Sequence, residues 1–283
     1  MSKLYIGVDI GGTSIVAARF SASEQLDRTE VPTGSDRPAE EIMESLFEAI
    51  DNVMTDEVVG IGIGMPGFMN SETGEILQIN NIPSFNGFRI KPAVEKRFNL
   101  PAFQSNDANC FALGETYYGA GKNYNTLVGV TLGTGLGGGI IIDRKIHTGL
   151  MGGAGELGCV PFHGGMVEDL CSAALFKNKY QSTGAELYKK AKAGDKDALA
   201  IFEELGNYIG EFLVTVLYIL SPEAIVIGGS VSNSWDLLEK PIRKKMEEIY
   251  LVPMISSKVE LVKAELDNAG LFGAAALCIS QMD

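Results

Sequence analysis

The sequence predicts an α/β fold built twice, and three observations carry that reading. Apolar β runs flank a glycine turn near the start, where LYIGV and IVAARF surround DIGGTS. The same grammar reopens at residues 126–143, where TLVGVTL meets GTGLGGG and the run IIID follows. Each hairpin leads into helical periodicity and further short strands, and hairpins mixed with helices mark the α/β class.

Taken in order, strands are expected over residues 4–10 and 15–20. A helix over 38–54 follows from Ile42, Met43, Leu46, Phe47 and Ile50, which recur at helical spacing. VVGIGIG at 58–64 reads as a buried strand closed by Met65-Pro66-Gly67, and NNIPSFNG at 80–87 carries turn chemistry. A helix at 91–98, a strand at 101–105 and a helix at 107–118 complete the first half. In the second half, strands at 126–132 and 140–143 meet a turn at Arg144 and Lys145. Helices are expected at 168–180, 184–193 and 195–220, the last with Leu199, Phe202, Leu205, Ile209, Phe212, Val216 and Leu220 on one stripe. EAIVIGG at 223–229 is a strand ending in paired glycines, followed by a helix at 234–248, a strand at 258–263 and a helix at 267–281. No linker or low-complexity tract divides the chain, and the boundary between halves is placed near Tyr117 to Lys122.

Bulk properties narrow the function classes. A chain of 283 residues can bury a sizeable core, and 46% hydrophobic with 21% charged residues fits a soluble globular protein. The longest apolar run, Phe212 to Leu220, is too short to span a bilayer, and Asp9 interrupts the one N-terminal apolar stretch, so neither a membrane span nor a secretory signal is expected. The formal charge of −13 opposes binding to nucleic acid or anionic membranes. Cys110, Cys159, Cys171 and Cys278 lie far apart without a C-x-x-C pair, which fits reduced thiols in a cytoplasmic protein.

The glycine turns have two readings. One is an ordinary hairpin, since Gly accepts positive φ at no steric cost. The other is an anion cradle, in which bare backbone lets N–H groups of Gly11, Gly12, Thr13, Gly133, Thr134 and Gly135 reach phosphate oxygens. One such turn in each half could converge on a single polyphosphate if the halves face each other. Gly228 and Gly229, at a strand end, would let a nucleotide's adenosine approach. No Lys or Arg clamp stands beside these turns, so the charge of an anionic ligand must be met by amides and a metal ion.

The succession DIGGTS, GIGMPG, NNIP, NDANCFALGE, TLGTGLGGGII, GELG, SPEAIVIGG and AGLFGAA resembles the ROK family of sugar kinases, in family order and over nearly the whole chain. The resemblance implies a two-lobed actin-like, ribonuclease H-like ATPase fold, each lobe a mixed β-sheet with flanking helices. The lobes would be residues 1–119 and 120–268, with the helix at about 269–283 packing back on the first. It implies ATP-dependent transfer of the γ-phosphoryl group to a hexose hydroxyl, glucose 6-OH first, with fructose, allose, mannose and N-acetylated hexosamines as alternatives. Asp107 would be the catalytic base, although an Asp at this position also suits a helix N-cap. Asp9 would hold Mg²⁺ through water. Gly67, Asn81, Asn106, Asp107, Glu156 and Glu168 would bind the sugar, against the plain alternative of polar loop residues. A homodimer is compatible with the resemblance, since many members are dimers.

The chain also departs from the family. Most members follow GELG with a His and a CxCGxxGC cluster that binds structural zinc, whereas this chain has GELGCVPFHGGMVEDLCS. Cys159 stands where the His would be, and Glu168 and Ser172 match the Glu and Ser beyond the missing cluster. Only Cys159, His163 and Cys171 are near one another, so no zinc site is expected. A repressor of the same family would need an N-terminal helix-turn-helix, for which a first strand at Leu4 leaves no room. A nucleotide-driven structural or chaperone protein would have no use for NDAN and GELG.

Overall fold

A computed structural model of the chain describes residues 3–70 and 73–282. Strands β1 (Leu4–Ile10), β2 (Ser14–Phe20) and β3 (Gln25–Pro32) lead into helix α1 (Ala39–Val53), strand β4 (Val58–Met65) and a small hairpin of β5 (Phe68–Met69) and β6 (Ile76–Gln78). Helix α2 (Ile90–Phe98), strand β7 (Ala102–Asn106) and helix α3 (Asp107–Tyr118) follow. Next come β8 (Leu127–Leu132), β9 (Leu136–Ile142), β10 (Lys145–Ile146) and the hairpin of β11 (Pro161–Phe162) and β12 (Gly165–Met166). Helices α4 (Val167–Leu170), α5 (Ala173–Tyr180), α6 (Gly184–Lys192) and α7 (Lys196–Leu220) precede β13 (Ala224–Gly228) and α8 (Trp235–Ile249). The short α9 (Pro253–Ser256), strand β14 (Glu260–Lys263) and helix α10 (Ala269–Met282) complete the order.

Contacts divide the chain into two compact units, Met1–Asn125 with Gly139–Gly155 and Glu265–Asp283, and Thr126–Gly138 with Glu156–Ala264. The first sheet runs β3-β2-β1-β4-β7, with β1 and β2 antiparallel and β1, β4 and β7 parallel. The second runs β10-β9-β8-β13-β14, with β8, β13 and β14 parallel. The two orders are the same arrangement repeated, which is the duplication the paired glycine turns foretell. The division between units falls inside β9.

In the first unit α1 buries Ile42, Met43, Leu46 and Ile50 against the sheet, while α10 packs on α3, β1 and β4. That second packing is backbone against backbone. A Cβ on Gly62 would lie 1.7 Å from Ala274 O, and one on Gly273 would lie 1.6 Å from Cys110 O. Glycine is required there for close approach rather than for conformation. The fully buried Glu115 carboxylate of α3 accepts backbone N–H groups from Ala120 at 2.8 Å, Glu265 at 3.2 Å and Leu266 at 2.9 Å. These residues lie where the chain leaves the first unit and where it returns to it.

In the second unit α7 buries Ile201, Phe202, Leu205, Ile209, Phe212 and Val216. Leu199, placed on that stripe by spacing, is instead 39% exposed, because the buried face turns to Ala198 and Ile201. The helix expected over 168–180 is two helices. Ser172 takes extended backbone at φ −140° and caps α5 through the Ala174 N–H, so the helix restarts there. Strand β3 was not foreseen: QLDRTEVP lacks apolar alternation because it is a largely exposed edge strand.

Candidate active site

Three parallel strands of the first sheet end side by side. Asp9 pairs in register with Gly64, and Met65 with Asn106, so Asp9, Gly67 and Asp107 lie along the carboxyl ends of β1, β4 and β7. That edge is where open α/β sheets take their ligands. Gly67 has φ 99°, and a Cβ on it would meet Gln78 O at 2.4 Å, so only glycine makes the turn out of β4. The loop carrying Asn81 is held by Asn86, which exchanges hydrogen bonds with the Ile79 backbone and donates to Pro83 O. It lies against the first glycine turn, with Asn81 Cβ 3.3 Å from where a Cβ on Gly12 would sit.

Asn106, not Asp107, caps α3: its Oδ1 accepts the Asn109 N–H at 2.8 Å. Asp107 is the first helical residue, with Oδ1 accepting the Ala108 N–H at 2.8 Å. Solvent reaches its carboxylate, yet protein crowds it on most sides, and this desolvation lifts its pKa above the ordinary range against the pull of that N–H. Asp9 is half-buried, and burial first, then the charge of Asp107, pushes its pKa from 3.8 up to about 6. The first turn of α10 borders it, since a Cβ on Gly270 would lie 3.7 Å from Asp9 Oδ2.

The second unit presents a comparable edge. Gly228 pairs in register with Thr131, which sets the Gly229 turn beside the turn of Gly133, Thr134 and Gly135. A Cβ on Gly229, at φ 83°, would be 2.4 Å from Leu132 O. The Glu168 carboxylate fills the space a side chain at Gly135 would need, 2.3 Å from that Cβ position, and Gly158 of GELG rests on Leu136 O. Cys159 is exposed, and partial burial together with the nearby Glu156 and Glu168 charges raises its thiol pKa. The structure thus gathers Gly133–Gly135, Glu156, Glu168 and Gly229 in one unit, and Asp9, Gly11–Thr13, Gly67, Asn81, Asn106 and Asp107 in the other.

Not every glycine amide is available to a ligand. Gly11 N–H is spent on Ser14 O at 2.9 Å, and Gly133 N–H on Gly135 O at 2.9 Å. Among the described residues, the amides of Gly12 and Thr13 in one turn and of Thr134 and Gly135 in the other make no such turn bond. Sequence reasoning passed over Thr33 and Glu115, whose partners are distant in the chain. The only local cue to Thr33 is the turn chemistry of Val31-Pro32-Thr33-Gly34.

Two sheets of one order, each with a glycine turn after its first strand, define the actin-like class of α/β protein. The chain belongs to the ROK family, whose model matches residues 5–281. It is similar to the glucokinase of Halalkalibacterium halodurans, 34% identical over 99% of this chain and 96% of that protein. The N-acetyl-D-glucosamine kinase of Mannheimia succiniciproducens is 31% identical over 97% and 99% of the two chains. The crystal structure of a ROK family glucokinase from Streptomyces griseus in complex with glucose and AMPPNP matches with a TM-score of 0.76 at 31% identity, covering 97% of this chain and 98% of that one. Among the described residues no helix is long and apolar enough to cross a membrane.

Two metals are implied by this membership, and the residues answer differently. Asp9 fits Mg²⁺: a hard carboxylate whose proton affinity is raised partly by a second carboxylate is relieved by a cation, and Mg²⁺ needs few protein ligands beyond water. Zinc does not fit. His163 Nε2 is hydrogen-bonded to Glu211 Oε1 at 2.9 Å, Cys171 is fully buried, and no three His, Cys, Asp or Glu among the described residues form a metal-holding group. Metal analysis is expected to find no stoichiometric zinc, and a full equivalent per chain would refute that.

The raised Asp9 pKa has a stability consequence. An acid whose pKa is higher folded than unfolded weakens the metal-free fold as pH climbs from about 4 through about 6. Asp9→Asn should therefore raise Tm at pH 8 and scarcely change it at pH 4. Allowing for partial solvation, the gain at pH 8 is roughly 2 kcal/mol. Thermal melts of both proteins at the two pH values check the sign.

Proposed function

We infer that this chain is an ATP-dependent hexose kinase that transfers the γ-phosphoryl group to a sugar hydroxyl, glucose 6-OH being the first acceptor to test. The observation that carries the reading is the Asp9–Asp107 pair at one sheet edge, beside the glycine turn that carries Gly12 and Thr13. The kinship with glucokinases at above 30% identity supports it.

Asp107 is assigned the acceptor hydroxyl. A carboxylate cannot ionise an alcohol in the ground state, so it fixes the hydroxyl in line and takes its proton as the bond to phosphorus forms. Its raised pKa suits that transfer better than an ordinary carboxylate would. Asn106, with Oδ1 committed to the cap, offers its Nδ2 as a donor to sugar oxygen. Asn81, Glu156, Glu168 and backbone near Gly67 are assigned the other hydroxyls. Asp9 would hold Mg²⁺ through water, and the ion would supply charge neutralisation on the phosphate oxygens. The amides of Gly12, Thr13, Thr134 and Gly135, with Gly228 and Gly229, are assigned the nucleotide.

A hexose panel with ATP and Mg²⁺, followed by ADP release, tests the reading, and absence of turnover on every hexose would refute it. N-acetylated hexosamines belong on the panel. The N-acetyl-D-glucosamine kinase kinship favours them, and Cys159 leaves that position without an imidazole.

A further inference from the structure

Behind each glycine turn stands a fully buried hydroxyl residue that no functional assignment has used. In the first unit it is Thr33, just past the edge strand β3. Its Oγ1–H donates to Gly11 O at 2.6 Å and its N–H to Thr13 O at 3.0 Å. Its own carbonyl accepts Arg37 Nη2 at 2.7 Å, and the same nitrogen donates to Ser45 Oγ of α1 at 2.7 Å. Gly34, at φ 61°, leaves room for that guanidinium, since a Cβ there would be 2.2 Å from Arg37 Nε. The turn is thereby tied to the framework of α1.

In the second unit the residue is Ser172. Its Oγ–H is shared between Thr134 O at 3.0 Å and Glu168 O at 2.7 Å, while Ala173 N–H donates to Gly133 O at 3.0 Å. Each turn thus has two carbonyls drawn backward, one by a hydroxyl and one by a main-chain N–H. In a trans peptide the C=O and the following N–H point to opposite sides, and the chain has no cis bonds among the described residues. Drawing Gly11 O onto Thr33 turns Gly12 N–H the other way, and drawing Gly133 O and Thr134 O back does the same for Thr134 N–H and Gly135 N–H.

We propose that Thr33 and Ser172 are positioning residues, each holding the amides of its own turn pre-aimed at phosphate of a nucleoside triphosphate. The proposal rests on the kinase reading and specifies how that site is kept rigid. Preorganised donors spend no binding energy on ordering themselves.

The test compares Thr33→Val, which removes the hydroxyl at nearly constant shape, with Thr33→Ser, which keeps it. For Thr33→Val the Kd of AMPPNP is expected to rise about tenfold, a change typical of one lost hydrogen bond to a buried acceptor with its neighbouring amide freed. The Kd of adenosine, which has no phosphate, should stay within about twofold, and Thr33→Ser should resemble wild type. Ser172→Ala should show the same preference for damaging triphosphate binding, with some loss of Tm because α5 loses its cap. If Thr33→Val does not fold, Thr33→Ala carries the same expectation. Equal weakening for AMPPNP and adenosine, or a Thr33→Ser that behaves like Thr33→Val, reduces these residues to framework and overturns the proposal. Wild-type turnover with unaltered AMPPNP affinity in Thr33→Val overturns it while sparing the kinase reading. AMPPNP binding by wild type without turnover on any hexose sinks the kinase reading alone, and no AMPPNP binding by wild type overturns both.

Discussion

Asp107→Asn is expected to lower kcat by about a thousandfold while KM for ATP and for sugar stays within about threefold. The substitution is unusually clean here. Asparagine keeps an Oδ1 to accept the Ala108 N–H, and the cap of α3 belongs to Asn106, so the helix start survives. What disappears is the negative charge and the capacity to receive a proton. Because crowding lifts the Asp107 pKa, wild-type kcat should also decline as pH falls, starting above the usual carboxylate range, and the residual activity of the variant should lack that limb. Stopped assays of ADP release across pH read both effects. Turnover within a few-fold of wild type would remove Asp107 from the chemistry. Asn106→Ala provides the contrast: loss of the cap should cost about 1 kcal/mol of stability without abolishing proton transfer.

Gly273→Ala should destabilise the protein by about 3 kcal/mol or more, lowering Tm by roughly 10 °C or leaving no soluble protein. The added methyl has nowhere to go, because Cys110 O lies 1.6 Å from its ideal position and is main chain of α3 rather than a movable side chain. Relief requires α10 to lift off α3, which would uncover Leu271, Ala274, Ala275 and Cys278 from the first core. Gln281→Ala, at an exposed position of the same helix, serves as the control and should shift Tm by less than about 2 °C. Calorimetric melts decide it. A small shift for Gly273→Ala would mean that α10 does not pack main chain to main chain.

Legibility in the sequence followed the physics of each segment. β1, β4, β8 and β13 are continuous apolar runs punctuated by glycine, so both their existence and their ends were readable. The turns that follow them, and hence most of the candidate site, were readable for the same reason. β3 was not, because its partner β2 supplies the pairing while Arg28, Glu30 and Asp27 face water, and with β3 went any view of Thr33. The break between α4 and α5 escaped because apolar spacing runs through it, whereas Ser172 takes extended backbone there, caps α5 through the Ala174 N–H and donates to Thr134 O of a distant turn. Glu115 looks like an ordinary helical residue until residues 150 positions away donate to it.

The packing of α10 also bears on how the polypeptide is born. The first unit needs Leu271, Ala274 and Ala275 to complete its interior, and Glu115 needs the amides of Glu265 and Leu266. A nascent chain emerging from the ribosome therefore holds β1 to α3 incomplete until α10 has been translated. Loop closure over so long a separation is slow, and the waiting apolar surface is an aggregation risk. Truncation of the last helix should accordingly be felt first in the yield of folded protein, before any assay of turnover can be run.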